Sequence, residues 1–143
     1  MFVSINGGKL PEAATKGSAG IDVFTNEDVE IWSGFQVTAP LGIKLDLEFI
    51  QKNDMRDNFF LDLRVRSSMR LNGISSLGDG VVDLSFPDEI KIILFNHNQY
   101  GSVKFKKGDK VGQFILIPHN ANYTWQYRQT DTERCGGFGH SGK

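Results

Sequence analysis

Short runs of β-forming residues, each ended within a few positions by Gly, Pro, Asn or Asp, recur along most of this chain, and helical periodicity is hard to find. That pattern constrains the fold to an all-β one, and many short strands with frequent turns favour a barrel or a sandwich. Strands are expected at Val29–Trp32, Gln36–Leu47, Phe59–Arg66, Gly80–Val82, Glu89–Asn96, Val103–Phe105, Gly112–Pro118 and Tyr123–Tyr127. Ser67–Asn72 reads as one or two helical turns, opened by Ser67 or Ser68 as N-cap. Glu48–Asn58, charged and polar, reads as an extended surface loop, and glycine-rich Arg134–Lys143 as a flexible tail. The expected organisation is therefore one domain over residues 1–133 followed by a tail over 134–143.

A chain of 143 residues can close one hydrophobic core without staples. Its 16 basic and 17 acidic residues nearly cancel, leaving a formal net charge of -1 and no global attraction to nucleic acid or to an anionic membrane. Any anion must be gripped locally. The single cysteine, Cys135, excludes an intrachain disulfide framework and a Cys-rich zinc site. The first residues lack the basic and apolar regions of a secretory signal, and no apolar run approaches the length that spans a bilayer. A soluble, cytoplasmic protein is the expectation.

No P-loop, HExxH, CxxC or EF-hand pattern occurs. Five short segments remain that carry chemically capable groups, and each has an ordinary structural explanation alone. Ala19-Gly20-Ile21-Asp22-Val23 sets a carboxylate after a glycine at the start of a β run, where a turn aspartate would need no function. Arg66-Ser67-Ser68 offers a guanidinium, two hydroxyls and free backbone N–H groups to a phosphate chain, or is a helix cap beside a surface arginine. Gly80-Val81-Val82-Asp83-Leu84-Ser85-Phe86 ends a short apolar strand in an acid, with a ring three residues on; the alternative is a hairpin that Asp83 merely turns. In Lys107-Gly108-Asp109-Lys110-Val111-Gly112-Gln113 the composition is that of a turn, and Gln113 is the only member assigned a ligand role. Arg134-Cys135-Gly136-Gly137-Phe138-Gly139-His140-Ser141-Gly142 combines a charge, a ring, a hydroxyl and a backbone able to wrap an anion, or is a frayed terminus.

Taken in order, from Ala19 to Gly142, the five segments resemble the five motifs of the trimeric deoxyuridine triphosphatase (dUTPase) family, and Ala39-Pro40-Leu41-Gly42-Ile43 resembles the link between the first two. The resemblance implies a jelly-roll-like, distorted β-barrel of the β-clip kind, a homotrimer whose sites draw on all three chains, and hydrolysis of dUTP to dUMP and pyrophosphate. Asp83 matches the aspartate that activates water for attack on the α-phosphorus, a role a carboxylate can fill by accepting the proton. Arg66, Ser67, Ser68 and Gln113 match phosphate contacts, and Asp22 matches an acid near Mg²⁺, reached through water. Leu77, Gly78, Asp79, Gly80, Val82 and Phe86 fall where the family holds the base and the sugar. Arg134, Phe138, Gly139 and Ser141 fall in the tail that closes over the nucleotide.

The chain departs from the family pattern at several positions. Asp79 stands where a small or apolar residue is usual, and its carboxylate can accept a hydrogen bond from an exocyclic amine, which motivates dCTP or a modified pyrimidine nucleotide as the alternative substrate. Phe86 replaces the usual tyrosine, keeping the ring and losing the hydroxyl, and Pro87-Asp88 follows it in place of a basic residue and glycine. A dCTP deaminase of the same fold needs a glutamate where this chain has Ile93, and an apolar side chain cannot move protons. A third reading is a nucleotide-gated module that binds a protein partner, for which residues 48–58 are the expected surface.

Overall fold

The computed structural model describes residues 1–77 and 80–120. Among the described residues twelve strands and two short helices follow one another: β1 (Phe2–Ser4), β2 (Glu12–Ala13), β3 (Gly20–Phe24), β4 (Val29–Trp32), β5 (Gln36–Pro40), β6 (Ile43–Leu45), α1 (Leu47–Lys52), β7 (Phe59–Arg64), α2 (Ser67–Leu71), β8 (Ile74–Ser76), β9 (Val81–Asp83), β10 (Lys91–Asn96), β11 (Ser102–Phe105) and β12 (Lys110–Pro118). Every ladder among these residues is antiparallel. The strands form the pairs β1-β6 and β11-β4, the three-stranded sheet β5-β10-β8, and the five-stranded sheet β2-β3-β12-β7-β9. The all-β, jelly-roll-like architecture is thus as expected, but among the described residues the sheets do not close into a barrel.

One core joins the sheets. Val23 and Phe114 come from the five-stranded sheet, Ala39 and Leu94 from the three-stranded one, Ile31 from β4 and Ile43 from β6, each 1% exposed or less. Alternation places them: in β10, Ile92, Leu94 and Asn96 point inward while Lys91 and Ile93 point out. Buried Asn96 is satisfied, since its amide donates to the Ile31 carbonyl at 2.8 Å and its own oxygen accepts from Asn98. Phe2 of β1 stacks on Phe114 of β12 at 5.3 Å between ring centres, tying the N-terminal strand to the largest sheet.

Three expectations change on the structure. The strand expected over 36–47 is two strands, because Gly42 takes φ +64° and turns the chain between β5 and β6. The segment over 48–58, expected as an extended loop, begins with α1: the Asp46 carboxylate accepts the Phe49 N–H at 3.0 Å as N-cap, Lys52 sits in the last turn, and Ile50 is buried. A helix this short shows one buried position, too few for its period to be visible in the sequence. In α2 the N-cap is Arg66, not Ser67 or Ser68; its backbone is extended and its carbonyl accepts the Met69 and Arg70 N–H groups, with no side-chain cap. Strands β1, β2 and β8, three residues or fewer, carried no separate signal. The expected strand over 123–127 and the tail over 134–143 lie outside the described residues. Among the described residues no helix is long and apolar enough to cross a membrane.

Candidate active site

Asp22 lies in β3 with its side chain 4% exposed, and two cations close on the same oxygen: Lys110 Nζ at 2.9 Å and an Arg66 guanidinium nitrogen at 3.4 Å from Oδ2. A carboxylate removed from water is tolerated when it is paired in this way. Gln113 is the cross-strand partner of Asp22. Its amide lies over Gly20, where a Cβ would come within 2.5 Å of Oε1, so an alanine there would push the glutamine away. Ser67 and Ser68 follow Arg66 in the first turn of α2, both exposed. Since Arg66 caps the helix through its backbone alone, neither hydroxyl is used up in capping. Asp22, Arg66 and Gln113, matched separately in the sequence, therefore meet, with Ser67 and Ser68 next to Arg66 along the chain.

Lys110 was not among the expected ligands, because its turn-like surroundings left Gln113 as the only member assigned a ligand role. Sequence distance hid it: its partner is Asp22, on another strand. Arg64, the partner of Gln113 on the other side, is committed elsewhere. Its guanidinium hydrogen-bonds Asp62, which holds the arginine pKa above its ordinary value through that bond and through the charge.

Asp83 ends β9 and is exposed, and among the described residues its carboxylate has no ion-pair partner. Leu84, 1% exposed, pins the following residue into the core, and the Phe86 N–H donates to the Asp83 carbonyl at 3.0 Å, closing a turn. The two arms of this segment pair with different strands, β9 with β7 and β10 with β5 and β8, so it is a loop between sheets and not the ladder-paired hairpin the sequence suggests. Pro87, which has no N–H to give to a ladder, stands at the bend. The loop borders a cleft of about 900 Å³ lined by Val82, Asp83, Phe86, Lys91 and Ile93. A smaller cavity beside it is lined by Leu77, Gly80, Val82 and Ile93. Gly80 is confined by backbone: its carbonyl accepts the Leu63 N–H at 2.7 Å, and a Cβ would collide with the Leu63 carbonyl. Gly78, Asp79, Arg134, Phe138, Gly139 and Ser141 lie outside the described residues.

The two clusters are not adjacent within one chain. Gln113 faces Arg64 on one flank of β7, and Asp83 faces Phe60 on the other. Four residues of strand and two interstrand spacings separate their Cα atoms by about 16 Å. A donor set for Mg²⁺ is also lacking: among the described residues no group of three His, Cys, Asp or Glu side chains converges, and the engaged oxygen of Asp22 already faces two cations. The described residues do not fit a preformed Mg²⁺ site.

Comparison with known proteins accounts for the arrangement of the segments. The sequence model of the dUTPase family matches residues 6–142. A deoxyuridine 5'-triphosphate nucleotidohydrolase of Alkaliphilus metalliredigens is 35% identical over 138 residues, covering 94% of this chain and 90% of the relative. One of Candida glabrata is 34% identical over 137 residues, with 92% and 89% covered. Among solved structures, the Staphylococcus bacteriophage 80alpha dUTPase with dUPNHPP superposes with a TM-score of 0.75 at 17% identity, covering 100% of this chain and 98% of that one. The EIAV dUTPase gives 0.67 at 21% identity, covering 94% and 100%. At those identities the structures speak for the fold; the family model, which spans all five segments, and the sequence matches over more than nine-tenths of the chain establish that it belongs to the dUTPase family.

Proposed function

We propose that this protein hydrolyses dUTP to dUMP and pyrophosphate, with the Asp83 carboxylate accepting a proton from the water that attacks the α-phosphorus. The observation that carries the reading is an exposed carboxylate, without an ion-pair partner among the described residues, at the lip of a cleft in which an apolar wall of Val82, Phe86 and Ile93 stands beside the polar Glu89 and Lys91. An acid placed there has a proton-accepting oxygen free, and the apolar wall can hold a base and a deoxyribose beside it. Phosphoryl transfer asks the protein mainly for positioning and charge neutralisation, which Arg66, Lys110, Ser67, Ser68 and Gln113 are equipped to give. Mg²⁺ enters this account only as the companion of the triphosphate, held by phosphate oxygens and water.

The distance between the clusters supports a homotrimer. The Asp83 and Gln113 Cα atoms stand about 16 Å apart across β7, so a nucleotide with its α-phosphorus near Asp83 is poorly placed to reach the cationic face of the same chain at the same time. A second copy that brings its own Arg66 face to Asp83 removes the conflict, and Arg134, Phe138, Gly139 and Ser141 of the tail would complete the enclosure.

Ile93 favours hydrolysis over deamination. It lines the Asp83 cleft, and its side chain offers no group to shuttle a proton to an exocyclic amine. The substrate is tested by supplying each deoxynucleoside triphosphate with Mg²⁺ and measuring pyrophosphate and ammonia separately. Pyrophosphate from dUTP and no ammonia is the expected result. Ammonia from dCTP would overturn the reaction, and pyrophosphate from dCTP with none from dUTP would replace the substrate.

A further inference from the structure

We infer that Lys110 belongs to the triphosphate-binding set and that Asp22 is a positioning residue, holding Lys110 and Arg66 as one cationic shelf, and not an acid that serves the metal. This rests on the reading of the site as one for a triphosphate.

The backbone places Lys110 there. Between β3 and β12 the register runs Lys110 with Phe24, then Gly112 with Val23 and Gln113 with Asp22, leaving Val111 as an extra residue. In a regular strand, residues three apart point to opposite faces; one inserted residue restores Lys110 to the face of Gln113 and Asp22. The bulge thus brings an ammonium group onto a carboxylate far away in sequence. Both cations share Oδ2 of Asp22, while their side chains remain 43% and 35% exposed. Each therefore spends part of its hydrogen-bonding capacity inward and turns the rest toward solvent, where a lysine has three donors in all and an arginine five. One carboxylate under two cations leaves a net positive shelf beside the Gln113 amide. A row of phosphate oxygens fits that surface. A divalent cation does not, because it would approach two positive charges and compete with Lys110 for its oxygen.

Calorimetric titration of the non-hydrolysable imido analogue of dUTP, with and without Mg²⁺, tests the inference on the wild type, Asp22→Asn, Lys110→Met and Lys110→Arg, each checked by thermal melting. Asp22→Asn and Lys110→Met are expected to weaken binding about tenfold each. The factor should be the same with and without Mg²⁺, and Lys110→Arg should restore most of the loss. A Lys110→Met protein that binds like the wild type would remove Lys110 from the set. An Asp22→Asn protein that keeps its Mg²⁺-free affinity and loses only the gain from Mg²⁺ would return Asp22 to the metal. If Asp22→Asn does not fold, the two Lys110 variants decide the matter, since that side chain is half exposed and Arg66 still pairs the buried acid. A wild type that binds no analogue in either condition would remove the triphosphate reading and the inference together.

Discussion

Asp83 ends β9 and Asp22 lies in the middle of β3, and their surroundings give them different work. Asp22 is buried and paired with two cations, so its charge is spent within the protein. Asp83 is exposed and has no ion-pair partner among the described residues, so a proton-accepting oxygen stays available. Asp83→Asn keeps the shape and removes the basic oxygen. It should bind the dUTP analogue with near wild-type affinity and lose turnover about a thousandfold, measured as pyrophosphate release. Turnover close to that of the wild type would exclude Asp83 as the base. The positions of Asp83, Arg66 and Gln113 were legible in the sequence because each belongs to a short, ordered motif. Lys110 was not: what defines it is a contact with Asp22 across a ladder with a β-bulge, and bulges leave no local pattern.

At the scale of elements, the loop that carries Asp83 depends on what anchors it. Leu84 is fully buried next to Asp83, and α1 lies on the other side of a groove shared by Leu47, Ile50, Leu84 and Ser85. The segment that reads as a solvated loop thus has a buried foot in the core at Ile50. Truncation there removes close-packed atoms, and Ile50→Ala should destabilise the protein by about 3 kcal/mol, read from denaturant unfolding. A loss no larger than that of a surface truncation would mean that α1 is not docked. The sequence signals for this helix were present in Asp46 and Lys52, but one buried side chain in six residues does not make a periodic pattern. The longer strands β7, β10 and β12 were legible for the opposite reason. Each repeats its inward apolar positions several times, as β10 does with Ile92 and Leu94.

At the scale of the whole molecule, the antiparallel order β12-β7-β9 carries the functional argument. It fixes Gln113 and Asp83 on opposite flanks of one strand. The sequence sets out the candidate segments in order and is silent on this separation, since register is set by cross-strand packing and not by motif spacing. The separation is what asks for a second copy. Mixing Asp83→Asn chains with Arg66→Ala chains tests this requirement directly. Each variant alone should be nearly inactive. Co-expressed in equal amounts, they should regain dUTP hydrolysis, because about a quarter of the sites in randomly assorted closed trimers combine an intact Asp83 from one copy with an intact Arg66 from another. Measured pyrophosphate release near a quarter of the wild-type rate is the predicted result; mixed trimers that form and stay as inactive as either parent would contradict a site built between chains.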